Sequence, residues 1–541
     1  MTKKYLLGIG LLAAVFFYSC EDDLNTAPEG DIMTEEQKEE VYANQPEKTQ
    51  AAVNAIFAQF NQYMPNEGAL NAERHNDFGY PSIMLFTDAN SADVVSEDNG
   101  YNWTANSLDF ADRVYTSYES QIIWNNMYSI ISVSNALIGS IDVDTDDPNY
   151  QFNLGQGLSV RAFSYWLLAN LYQFNYVGNE NALCVPIITD ENADDAAWDG
   201  VERSTVKEVY DLILSDLNTA IELLESARES GVSRSDLDLD RRYIDLSVAY
   251  GLRARAHLSM QKWSEAAADA QSAMDASDAV AASIEDVSRP SFWDIENESN
   301  WMWGIIISET DRVVTSGIVN WLSHMGSLNY GYANFSKGKQ INKSLYLSIP
   351  ASDVRKGWWI DEELYSPNLN AAESAFVKRY TPYTQVKFAP YKNEVNSSTN
   401  ASDIPLMRIE EMHLIKAEAE AMAGDPASGL TTLTNFVSEN RDPDYAFAGV
   451  SATEVQEEVY RQRRIELWGE GLIWFDVMRL GKGVDRRGGG YPNSTMVFNI
   501  SANDPILLWR IPEAEIQANM KLSEGDNNPA APTPDAVPDF E

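Results

Sequence analysis

Two stretches of this chain share one plan, and that plan sets the tightest limit on the fold. AYGLRARAHLSMQKWSEAAADAQSAM, starting at Ala249, reads as an Ala-rich helix, a short break at Gln261–Trp263, and a second Ala-rich helix. EMHLIKAEAEAMAGDPASGLTTLTNFV, starting at Glu411, repeats the layout with Gly424-Asp425-Pro426 as its turn. Alanine at facing positions lets two helix backbones approach closely, as in stacked hairpins of tetratricopeptide type. The period is too divergent to name the repeat; helix–turn–helix pairing is what the pattern specifies. With 541 residues, 44% of them hydrophobic, the chain has enough apolar material for several such layers.

Helical periodicity continues around these hairpins. Val53, Ile56, Phe57 and Phe60 follow the i, i+3, i+4, i+7 pattern, and further helices read at about 119–138 and 156–173. Thr205 and Glu208 form a capping box ahead of an apolar stripe through Val209, Tyr210, Ile213, Leu217, Ile221 and Leu224. A last helix is expected from near Thr453 to about Leu480, stopped by Gly481 and Gly483. Residues 285–405 break the pattern. They read as an irregular, partly β, aromatic-rich insert, with strands expected at 301–308 and 376–388. An irregular stretch of that length inside a compact domain points to function. The Pro- and Asp-rich stretch 524–541 reads as a flexible tail.

Charge excludes several partners. With 39 Lys+Arg against 82 Asp+Glu and a formal net charge of −43, the chain lacks the basic surface that holds nucleic acid. Anionic lipid headgroups should repel it as well. Enzyme constellations are also missing. There is no H-E-x-x-H or phosphate-cradling loop; His75, His257, His324 and His413 are scattered, and lone Cys184 reads as a buried thiol. Asp142-x-Asp144-x-Asp146 and Asp236-x-Asp238-x-Asp240 start like calcium loops. Neither has the Gly and Glu required at the sixth and twelfth positions. No cofactor is expected; a structural calcium is the nearest rival to solvated acidic turns.

At the N-terminus, Lys3 and Lys4 precede an apolar run from Tyr5 to Tyr18, shorter than the ~18–20 residues of a spanning helix. Ser19-Cys20 and the acidic Glu21-Asp22-Asp23 follow. The arrangement resembles a lipoprotein signal of Bacteroidetes: residues 1–19 removed, Cys20 acylated, and residues 20–33 a lipidated tether. Phe17 and Tyr18 depart from the usual residues before the cysteine.

The C-terminal third carries the most specific pattern. Arg463-Arg464-Ile465-Glu466-Leu467, Glu470-Gly471, Trp474-Phe475-Asp476 and Arg479-Leu480-Gly481 run in order toward Ile511-Pro512-Glu513-Ala514-Glu515-Ile516. Upstream stand Arg408-Ile409-Glu410-Glu411 and Ala417-Glu418-Ala419. These blocks resemble the signature of the SusD-like (RagB/SusD) outer-membrane lipoproteins, with departures at Gln462, Gly469 and Ile473. In physical terms, Arg464, Glu466, Glu470 and Arg479 lie among large apolar groups and read as a buried ion-pair lattice rather than a catalytic pair.

The resemblance implies a mostly α protein: a SusD-like α-solenoid frame at 34–284 and 406–523, with ligand-binding loops in the insert. It further implies a non-catalytic protein, lipid-anchored in the outer membrane and facing the cell exterior. Such a protein captures oligosaccharides for polysaccharide utilization and caps a SusC-like TonB-dependent transporter. Peptide capture, as in the RagB branch, is the alternative; a surface glycosidase is a third reading.

Sugar rings offer apolar C–H faces, so their sites need accessible Trp or Tyr rings with amide or carboxylate partners. Tyr101, Trp103 and Asn106 supply that mixture in turn-like sequence. The Trp-x-x-Asn spacing there resembles the starch site of the founding family member. Trp321, Tyr330 and Tyr332 supply it in the insert, where the family places its other ligand-contacting aromatics. Trp293, Trp301 and Trp303 read as packing around a strand.

Overall fold

The computed structural model describes residues 46–63, 75–97 and 103–540. The signal segment, Cys20, the tether and Tyr101 lie outside the described residues.

Helix α1 (Pro46–Gln59) buries the expected stripe of Val53, Ile56 and Phe57, which Phe60 continues just past its end. Helix α2 (Tyr80–Asn90) is buried along its whole length. Helix α3 (Tyr118–Gly139) opens at Ser117, whose hydroxyl accepts from the Ser120 N–H. Helix α4 (Pro148–Tyr172) opens at Asp147, whose carboxylate accepts from the Asn149 and Tyr150 N–H groups. From Gln151 onward every residue of α4 is buried, so this helix is an axis around which the others pack. It lies between α3 and α5 (Val206–Glu229), which begins with the capping box of Thr205 and Glu208.

The two Ala-rich hairpins form. Helices α6 (Leu246–Ser259) and α7 (Trp263–Ala276) make the first; α8 (Ile409–Met422) and α9 (Pro426–Asn440) make the second. Helix α7 packs on α8, so hairpins far apart in sequence join one stack. Ala254, Ala270, Ala417 and Ala421 are fully buried between them. At Gly429 a Cβ would run into the Ala417 carbonyl, which shows how closely α8 and α9 approach. The chain is mostly helical, as its patterning predicts.

Two expectations fail locally. The single helix from Thr453 to Leu480 is two: α10 (Ala452–Glu466) and a short helix Ile473–Arg479. Gly469 and Gly471 have φ of +75° and +71°, and a Cβ on Gly471 would sit 2.7 Å from that of Met84. The turn therefore needs glycine, both for its handedness and to lie against α2. No strand spans 376–388. Asn370 caps a helix over Ala371–Phe376, Pro382 has no N–H to give, and Tyr383 has φ +69°. Thr384, Gln385 and Phe388 make isolated bridges only.

The insert is fastened at two places. Strands β1 (Val94–Val95) and β3 (Gln340–Ile341) pair antiparallel, tying the middle of the insert to the N-terminal region. Strand β2 (Trp301–Ile305) pairs with β4 (Ile404–Arg408), with Trp301 opposite Arg408, so the insert leaves beside where it enters. The tail expected to be loose is tethered. Asn528 is buried and donates to the carbonyls of Tyr172 and Trp509, both at 2.7 Å, and the Val537 N–H donates to the Val497 carbonyl at 2.9 Å.

The charges of the C-terminal block are paired, chiefly with residues outside the block, and all but the half-buried Arg464 are buried. Glu466 accepts from Arg355 at 3.1 Å, Arg408 at 2.9 Å and Arg441 at 2.8 Å. Glu470 takes Arg408 and Lys387, while Arg479 reaches Glu418 at 2.6 Å and Asp476 at 2.8 Å. Arg464 pairs with Asp93, next to β1. Burial opposes the charge on Glu466, yet three guanidinium groups hold its carboxyl well below the usual range.

Candidate functional site

The structure joins the two aromatic stretches into one cluster. Trp103 and Tyr332 meet edge-on, with ring centroids 6.1 Å apart. His75 lies against both, 4.9 Å from Trp103 and 5.8 Å from Tyr332, and its Nδ1 is hydrogen-bonded to the Tyr332 hydroxyl. His324 stacks on Tyr332 at 4.9 Å, and its Nε2 lies 2.9 Å from the His75 carbonyl oxygen. Burial, helped by the nearby charges of Lys339 and His75, pushes the His324 imidazole down to about 3. The ring is therefore neutral at physiological pH, and its Nε2–H donates to that carbonyl.

Polar contacts fix the backbone below the rings. Asn76 donates to the Trp103 carbonyl at 2.8 Å, and Asn106 donates to both carboxylate oxygens of Glu119 on α3 at 3.2 Å. Trp103, Asn106 and Tyr332 are half-buried. Tyr330 is 40% exposed and meets Phe335, 42% exposed, edge-on at 5.8 Å. The Tyr330 backbone is pinned as well: its N–H donates to the Ser397 carbonyl and its carbonyl accepts from the Asn400 amide.

Trp321 does not join them. It is 1% exposed, packs edge-on against Phe388 at 4.9 Å and belongs to the core. Short helix Trp321–Met325, capped by Asn320, turns Trp321 inward and places His324 beside Tyr332. Trp301 and Trp303 are buried packing residues, while Trp293 is half-buried against Tyr391. His75, His324 and Phe335 were missed from sequence. Phe335 carried a weak signal, three residues beyond Tyr332 at helical spacing; the histidines carried none.

The cluster offers ring faces, amides and one unusual carboxyl. Asp77, beside Asn76, is pushed up to about 7 by burial, which a hydrogen bond from Asn126 only partly offsets. Cys184 is buried, and that burial pushes its thiol up to about 12, away from nucleophilic use. The acidic turns have structural work: Asp142 accepts from the Asp144 N–H, Asp147 caps α4, and Asp240 binds Arg242. Among the described residues no three His, Cys, Asp or Glu gather as a metal site. No helix among them is long and apolar enough to cross a membrane.

Comparison with known proteins agrees with this architecture. Residues 36–235 match a SusD-like family model described as "Starch-binding associating with outer membrane", and residues 326–529 match the SusD family model. Two SusD-like proteins of Formosa agariphila are 24% identical. One aligns over 68% of this chain and 73% of its own length, the other over 75% and 79%. A SusD-like carbohydrate binding protein from Bacteroides vulgatus superposes with a TM-score of 0.72 at 21% identity, covering 89% of this chain and 98% of its own. A SusD superfamily protein from Bacteroides thetaiotaomicron gives 0.70 at 20% identity, covering 90% and 100%. The chain belongs to the SusD-like family.

Proposed function

We propose that this SusD-like chain is a non-catalytic lipoprotein that captures oligosaccharides at the cell surface and passes them to a SusC-like TonB-dependent transporter. The observation that carries the reading is the meeting of Trp103 with Tyr332, braced by His75 and flanked by the exposed Tyr330–Phe335 pair. Half-buried rings beside an exposed aromatic pair suit the apolar faces of sugars, and stacking of that kind needs no activated group. The family description of starch binding and outer-membrane association supports the same reading, as does the carbohydrate-binding neighbour. In this scheme the helical regions 34–284 and 406–523 form the frame, the insert 285–405 carries most of the ligand face, and Cys20 holds the lipid.

Calorimetry of the purified chain against neutral oligosaccharides and peptides tests the reading. Saccharide binding without turnover, lost in Trp103→Ala and weakened in Tyr332→Ala, is the expected result. Binding of peptides alone would transfer the protein to peptide import, and saccharide hydrolysis would make it an enzyme. Cys20→Ala should move the protein out of the membrane fraction.

A further inference from the structure

A second site is built where the end of α1 meets β2. A cavity of about 390 Å³ opens there, within the ~300–1,000 Å³ typical of small-ligand sites. Its apolar wall includes Phe57, Phe60, Tyr63 and Trp303. Asn61 and Arg312 add polar groups.

Two of these groups lack partners. The Oδ1 of Asn61 is buried and makes no hydrogen bond, so an acceptor faces no donor. Leaving a buried polar atom in that state costs its desolvation, which a ligand hydroxyl would relieve. The second is Arg312. Its guanidinium lies 5.7 Å from the Tyr63 ring, and no carboxylate among the described residues is within ion-pair distance of it. Arg242, on the same cavity wall, is by contrast gripped by both oxygens of Asp240 at 2.9 and 3.1 Å. Asp311 also lines the cavity; its Oδ2 accepts from the Ser308 N–H at 2.8 Å, which turns that oxygen toward its own loop while its charge remains. A planar guanidinium held against a ring presents its N–H fork outward, in the geometry that matches carboxylate or sulfate oxygens.

We infer that this cavity is a subsite for an acidic sugar unit, with its carboxylate or sulfate on Arg312, a hydroxyl donating to Asn61 and its apolar face against Tyr63. The inference rests on the glycan-binding reading above and narrows the ligand class. One segment serves both places. Arg312 stands at the cavity, His324 packs in the aromatic cluster, and Asn320 donates to the Val313 carbonyl between them. The formal charge of −43 repels polyanions at range. Screening within ~8 Å at physiological salt weakens that repulsion for a glycan with isolated anionic groups, so direct contact with Arg312 decides its binding.

Calorimetry on the full chain with four probes tests this: a galacturonic acid oligosaccharide, its methyl ester, a sulfated galactan oligosaccharide and a neutral maltooligosaccharide. At least one acidic probe should bind tenfold or more tightly than the neutral ones. Arg312→Gln should remove that tenfold and leave neutral binding within twofold, while Arg312→Lys should restore part of it. The preferred acidic probe tells carboxylate from sulfate. Arg312 is exposed, so these variants should fold as the parent does, which circular dichroism checks. If glycans bind through Trp103 and Arg312→Gln changes nothing, this subsite is wrong and the proposed function stands. If no saccharide binds at all, both fall.

Discussion

The ion-pair lattice around Glu466 and the aromatic face around Trp103 solve opposite problems. The lattice places Arg355, Arg408, Arg441, Glu410 and Glu466 out of water, each close to zero exposure, and satisfies them mutually. The face leaves Trp103 and Tyr332 half-buried and makes its cluster from rings and amides, with the Glu119 carboxylate holding Asn106, rather than from ion pairs. Buried charges tolerate no missing partner, because an uncompensated ion remains in a medium that solvates it poorly. Stacking rings tolerate considerable change around them. Strict residue identity therefore belongs to the scaffold and latitude belongs to the site, the reverse of the usual expectation for an enzyme.

The largest effects should come from breaking the lattice or the core. Arg408→Met removes one of the three guanidinium groups on Glu466 and leaves Glu470 with Lys387 alone, and a loss of about 3 kcal/mol is expected in chemical denaturation; a loss below about 1 kcal/mol would remove the lattice from its structural role. Trp321→Ala breaks the core. A fully buried Trp leaves a cavity costing about 3–5 kcal/mol, so this variant should behave like a core mutant, with saccharide affinity of the folded fraction within a few-fold of the parent. Trp103→Ala should do the opposite, lowering affinity tenfold or more with about 1 kcal/mol or less lost in stability. Equal effects of the two Trp variants on both readouts would erase the contrast drawn between core and face.

Acid titration sharpens the same comparison. Glu466, Glu470 and Asp476 have carboxyls held below their ordinary values by paired arginines, so their stabilisation is present above about pH 4.5. It is lost as pH falls further, through their folded values. Asp77, beside the site, behaves in the reverse sense. Its folded value near 7 lies above the ordinary 3.8, so its contribution is lost as pH rises between the two. Asp77→Asn should therefore raise the melting temperature at pH 8 and leave it unchanged at pH 3.5.

What could be read in advance follows from range. Alanine patterning located both hairpins, and the Thr205 box located a helix start, because both are local rules. The break at Gly469 and Gly471 was missed because it depends on Met84, which is remote in sequence. Composition and turn residues pointed to Trp103 and Tyr332, yet nothing in the order of residues announced that the two would touch. Trp321 shows the limit plainly: its loop-like, aromatic surroundings matched a binding stretch, and an Asn320 cap turned the ring into the core. The lattice was legible as buried charge, but its partners Arg355, Arg441 and Lys387 lie outside the motif that signalled it.

The contact between His75 and Tyr332 spans 257 residues, and the pairing of Arg464 with Asp93 spans 371. Closures that long come late in folding, because the chain entropy they cost is recovered only once both ends are already ordered. A chain still emerging or still crossing a membrane has its frame hairpins available early, since they are local, but has no ligand face. Readiness to bind is thus a signal that the whole molecule has been completed, and a trapped intermediate with intact helices should be blind to sugar.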